Sequence, residues 1–174
     1  IILFLGASIL PSISGDIKSK IFSKSYKIKE NNIGPLDENL VSYWSFNEGS
    51  GNTAYDSAGD NNGTIHGASW TDQGKVGGAY YFNGASSYIS LDVPTSLEDI
   101  PNNDFTLSLW LKSDDITQDQ RIALQAGNQT EKNFIIILQL NSQIHFGVCE
   151  DGTKWARRTD NLSSNIWYHI VGVW

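Results

Sequence analysis

The stretch from Leu40 to Leu91 constrains the fold of this chain more than any other. It opens LVSYWSFNEGSGNTAYDSAGDNNGTIHG and closes GKVGGAYYFNGASSYISL. Leu40, Ser42, Trp44 and Phe46 fall on one side of its first residues and Val41, Tyr43 and Ser45 on the other, the alternation of a half-buried strand. Asn47, Gly49, Gly51 and the run Gly59-Asp60-Asn61-Asn62-Gly63 then supply positive φ and side-chain-to-backbone hydrogen bonds, which neither a helix nor an unbroken strand accommodates. After Gly77-Gly78 come the aromatic triple Tyr80-Tyr81-Phe82, the turn pair Asn83-Gly84 and a second strand from Tyr88 to Leu91. A chain punctuated this way is built from short strands and tight turns.

The remainder agrees. Phe105, Leu107, Leu109 and Leu111 share the core face of a strand, with Thr106, Ser108, Trp110 and Lys112 on the other. Strands are expected around Arg121 to Gln125, over the apolar run Asn133 to Leu140, from Gln143 to Cys149 after an Asn141-Ser142 hairpin turn, near Trp155 to Thr159, and from Ile166 onward. A helical turn near Ser96 to Asp99 is the one helical expectation. With 174 residues, 11% aromatic content and 16 glycines, the chain has room for one all-β domain with a hydrophobic core.

Read in order, Tyr43 to Gly51, Asp56-Ser57, Asn62-Gly63, Gly74 to Ala79 and Phe82-Asn83-Gly84 resemble laminin-G-like jelly-roll domains of the concanavalin A-like lectin/glucanase fold. Phe105 to Lys112 and Trp167 to Val171 resemble two later strands of the same family, so the resemblance covers residues 40–174. It implies a two-sheet antiparallel β-sandwich that recognises carbohydrate or an extracellular protein. A jelly roll of this family needs further strands, whereas Trp167 to Trp174 ends without a turn or a return strand, so the domain is expected to be incomplete at its C-terminus.

Residues 1–14 are read as the remnant of a secretory signal peptide, an apolar run followed by Pro11 and the small-x-small triplet Ser12-Ile13-Ser14, with a cut expected near Ser14 or Gly15. The run is too short to span a membrane, which takes roughly twenty apolar residues. The other use of such a run, a buried N-terminal strand, is disfavoured because the polar segment that follows would detach it from the domain. Residues 15–39 are rich in Lys, Ser and Asn and read as a polar linker. Its five lysines do not make a nucleic-acid arm, because beyond position 30 seventeen acidic residues stand against seven basic ones and would repel a phosphate backbone. The net charge of −7 fits a secreted or cell-surface protein and gives no reason to expect an anionic ligand. A single cysteine, Cys149, permits no intramolecular disulfide and is expected to be a packed, inert thiol.

Catalysis is not expected. Glucanases of this fold carry acids at alternate strand positions, as Glu-x-Asp-x-x-Glu, and no such run occurs. Glu98-Asp99, Asp114-Asp115 and Glu150-Asp151 are adjacent pairs, which a strand sends to opposite faces. The bend from Asp56 to Gly63 concentrates carboxylates, amides and carbonyls, and Asp56, Asp60 and Asn62 are the candidate ligands for a structural calcium. The same residues would equally serve as a cluster of Asx turns in water. Stacked rings beside hydrogen-bonding groups are what a sugar site requires, and Trp70, Trp110 and Trp155 are the candidates. Trp44, alternating with Phe46, and Trp167, alternating with Val171 and Val173, are expected in the core. The partner is thus a glycan or an extracellular protein. The other readings are a structural or adhesion spacer of a larger surface protein and, behind it, part of a glycoside hydrolase whose catalysis would lie in a region outside residues 1–174.

Overall fold

The computed structural model describes residues 2–11, 40–91, 105–118, 120–124, 133–139, 142–149, 153–157 and 161–173. Every regular element among them is a strand: β1 (Ile2–Pro11), β2 (Ser42–Trp44), β3 (Thr53–Ala54), β4 (Gly63–His66), β5 (Ser69–Thr71), β6 (Ala79–Phe82), β7 (Tyr88–Leu91), β8 (Phe105–Ser113), β9 (Gln120–Leu124), β10 (Asn133–Gln139), β11 (Gln143–Cys149), β12 (Thr153–Arg157) and β13 (Tyr168–Val173). The polar linker over 15–39 and the helical turn near Ser96 to Asp99 lie outside the described residues.

The strands form antiparallel sheets. The large sheet runs β13-β8-β1-β6-β5, with β2 also on β1; a second runs β12-β11-β10-β9; a third runs β3-β4-β7. The two smaller sheets cover one face of the large one, giving a β-sandwich. Its core takes Trp44, Tyr80, Phe105, Leu107, Leu109, Leu111 and Ile170 from the large sheet, Ala54 and Ile65 from the third, and Ile144 and Phe146 from the second. Strand β8 shows the cause plainly. Its five odd-numbered positions, Phe105 to Ser113, are buried and its even-numbered ones are half-buried, as pleated alternation dictates. Each of its four large apolar side chains contributes roughly 1.5–3 kcal/mol by leaving water.

Three features go beyond the sequence reading or differ from it. The first concerns residues 2–11, whose reading as part of an export signal the fold does not test. They form β1, which pairs with β8 along one edge and with β6 and then β2 along the other. In the chain as it stands, the apolar run fills a slot between strands that would otherwise lose their ladder partners.

The second is that β2 stops at Trp44, although Phe46 is still buried on the expected side. Phe46 takes φ 58, in the left-handed region, and this turns the chain before Asn47, whose Oδ1 accepts the Gly78 N–H at 2.8 Å.

The third is the facing of β13. Val171 and Val173 are exposed, at 52% and 62%, while Ile170 and Gly172 point inward. The expectation that Val171 and Val173 share the core is therefore wrong, while Trp167, just before β13, is half-buried against Ala79. Gly172 explains the choice, because a Cβ built on it would stand 2.6 Å from the Phe146 ring of the facing sheet. Only a glycine lets the two layers approach this closely.

Candidate functional site

Because β8 turns its apolar face inward, its even-numbered positions stand on the outer surface of the large sheet. Register places His169 of β13 beside Trp110, and Val171 beside Ser108. The Trp110 and His169 rings stack with centroids 4.9 Å apart and planes 25° from parallel. The His169 Nε2 and the Ser108 Oγ share a hydrogen bond of 2.8 Å, which fixes the imidazole over the indole. Lys75 arrives from the loop between β5 and β6, on the other flank of the sheet, and sets its ammonium 5.4 Å from the Trp110 ring centre. Lys112, two residues along β8 from Trp110, sets its own 5.0 Å from the Trp167 ring. Trp110, Trp167 and Tyr81 pack around buried Ala79. One outer face thus carries two tryptophans, a tyrosine, an imidazole, two ammonium groups and a serine hydroxyl.

The other two tryptophan candidates are elsewhere. Trp70 pairs with Tyr80 in register, on the core side of the sheet, and packs against the core. Its indole N–H donates to the Phe46 carbonyl at 2.8 Å, and Gly78 packs so closely beneath that a Cβ there would overlap both groups. Trp155 lies on β12 opposite Gly147, in the second sheet, so its strand belongs to a different layer from Trp110. Trp110 is therefore the sequence candidate found on the aromatic outer face. Trp167, His169, Lys75 and Lys112 were missed. A glycine at an alternate position of β13 was the available signal for its true facing.

The Asp56 bend is tied to β2. Asp56 Oδ1 accepts the N–H of Tyr43 at 2.8 Å and of Ala58 at 2.9 Å, and Oδ2 accepts that of Asn61 at 3.1 Å. Burial pushes the Asp56 carboxyl up, but hydrogen bonds from the backbone of Tyr43, Ala58 and Gly59 and from Ser42 outweigh it and hold the group below its ordinary value. Asn62 Oδ1 accepts the Asp56 N–H at 2.9 Å, the Trp44 indole donates to the Asn61 carbonyl at 2.8 Å, and Asp60 is exposed. The proposed calcium ligands thus form a clasp in which two of the three already bind backbone. Among the described residues no three His, Cys, Asp or Glu side chains group to hold a metal.

A family profile of the laminin G group, described as the concanavalin A-like lectin/glucanases superfamily, matches residues 83–174, which is 92 of the 174 residues. The match includes β8 and β13, the two strands that carry Trp110 and His169. This chain belongs to the concanavalin A-like lectin/glucanase superfamily. Neither the curated proteins nor the solved structures compared with it yield a match. Membership of the superfamily makes the chain, in general terms, a carbohydrate- or protein-binding module, and laminin-G-like domains are typically extracellular. Among the described residues no helix is long and apolar enough to cross a membrane.

Proposed function

We propose that this chain is a non-catalytic extracellular recognition module that binds carbohydrate on the outer face of its large sheet. The observation that carries the reading is the half-buried Trp110 on that face, beside the imidazole of His169, the hydroxyl of Ser108 and the ring of Trp167. Sugars present C–H faces and hydroxyls together, and rings beside hydrogen-bonding groups answer both. A non-catalytic role is favoured because Asp114 and Asp115 are exposed on the turn after β8 rather than aimed from alternate positions of one strand. A glycan array probed with the wild-type chain and with Trp110→Ala tests the reading. Binding by the wild type that Trp110→Ala removes, with the melting temperature preserved, supports it; a wild-type chain that binds no glycan overturns it.

A second reading has its own observation. Val171 and Val173 are exposed on β13, whose only partner among the described strands is β8. An extracellular protein adding a strand there would cover them. Substituting both valines by threonine would abolish such binding and leave glycan binding intact.

A further inference from the structure

Trp110 is not an open platform. Its two neighbours arrive from opposite flanks of β8, since the sheet runs β13-β8-β1-β6-β5, with His169 on β13 and Lys75 on the β5–β6 loop. The imidazole stacks on one side of the indole with ring centres 4.9 Å apart, and the Lys75 ammonium, reaching across β1, lies 5.4 Å from the ring centre. The two are held unequally. His169 is fixed by its ladder position opposite Trp110 and by the 2.8 Å hydrogen bond to Ser108. Lys75 is exposed, and among the described residues its ammonium has no partner but the ring. The backbone beneath it is clamped: the Gly78 N–H donates to Asn47 Oδ1 at 2.8 Å, a Cβ on Gly77 would overlap that same side chain, and the Gly74 N–H donates to the Gly77 carbonyl at 3.1 Å. What is free to move is the flexible stem of Lys75.

Resting on the reading of this face as a carbohydrate site, we infer that Lys75 is its gate. In the free chain the ammonium closes the side of Trp110 that His169 leaves open, and a ligand ring enters on that side, between Trp110 and Tyr81, as the lysine swings away. Tyr81 stands across β1 from Trp110 because it alternates with core-facing Tyr80 on β6, and both rings pack against Ala79. Entry on the other side of the indole would cost the stack and the Ser108 hydrogen bond, whereas releasing Lys75 returns an ammonium to water. An ammonium over an exposed indole favours the closed arrangement roughly two- to fivefold. A ligand that needs the open arrangement therefore loses roughly three- to sixfold in apparent affinity, because only the open fraction of the protein can take it. Lys75 thus acts against binding, by covering the ring until a ligand replaces it.

NMR on the full chain, titrated with neutral hexasaccharides of glucose, galactose and mannose, tests the gate. In the free wild type the Lys75 ε-methylene protons should be shifted upfield by the Trp110 ring current, a shift that Trp110→Leu removes. Saturation with a hexasaccharide that binds should return those protons to their solvent position while the His169 ring protons stay against the indole. Lys75→Ala, at an exposed loop position, should bind the same hexasaccharide roughly three- to sixfold more tightly than the wild type. Lys75→Arg, whose guanidinium also lies over indole rings, should restore the closed arrangement. A free chain without the upfield shift overturns the gate. So do Lys75 protons that remain upfield in the bound state, or a Lys75→Ala affinity equal to or below the wild type's, and these two results leave the carbohydrate site standing. Binding of no hexasaccharide to either protein overturns the gate, and an empty glycan array then overturns the carbohydrate reading with it.

Discussion

Trp110 and His169 stack across neighbouring strands with ring centres 4.9 Å apart, although 59 positions separate them in the sequence. The pair exists because β13 is in register with β8 and because Gly172, not Val171 or Val173, faces the core. Gly172→Val should therefore act on the pair from the opposite side of the sheet. Overpacking against Phe146 is expected to cost about 1–3 kcal/mol and to lower the melting temperature in differential scanning calorimetry. A variant with wild-type stability would mean that the two layers are further apart than described.

Trp70 and Trp110 should separate in experiment. Trp70→Ala removes a core-side ring and leaves the Phe46 carbonyl without its indole donor, a loss of roughly 2–4 kcal/mol in urea unfolding. If Trp70 instead contacts sugar, its substitution weakens glycan binding and leaves the urea midpoint in place.

Asp56 makes the domain sensitive to acid. Its carboxyl is held below its ordinary value in the fold, so folding favours the ionised form. The stabilisation is fully present above the unfolded-chain value of about 3.9 and is lost as pH falls through the lower folded value. Melting temperatures recorded from neutral pH downward should fall below about pH 4. Asp56→Ala should flatten that fall and lower stability at neutral pH, by about 1–3 kcal/mol for each buried donor left unpaired.

Calcium at Asp56, Asp60 and Asn62 has a direct check. A cation that binds only the folded chain adds about 2.7 kcal/mol to its stability at a hundred times its dissociation constant. The melting temperature should then rise with added calcium and return with chelator. An unchanged melt would leave the bend as a hydrogen-bonded clasp, which its contacts to Tyr43, Ala58 and Asn61 already sustain.

Removing residues 1–14 separates the two uses of the apolar run. As β1 it fills the slot between β8 and the pair β6 and β2, so its deletion should broaden the melt and increase binding of a hydrophobic dye. Export with cleavage near Gly15 predicts the contrary, a mature chain that begins there and melts sharply. N-terminal sequencing of secreted protein reports the cut.

What the sequence determined by itself is whatever depends on neighbours along the chain. Alternation in Phe105 to Ser113 assigned both faces of β8, and the turn residues of Asn47 to Gly63 announced tight bends rather than a helix. The same short-range pattern failed in β13, where Trp167 to Val173 offers apolar residues to both faces and one missing side chain at Gly172 settles which face is core. Only the tertiary structure decided that. It also gathered Trp110, Trp167, His169, Lys75 and Lys112 from two strands and two flanking segments onto one surface. Net charge is a sum over the chain, and a sum of −7 holds no information about where two lysines meet.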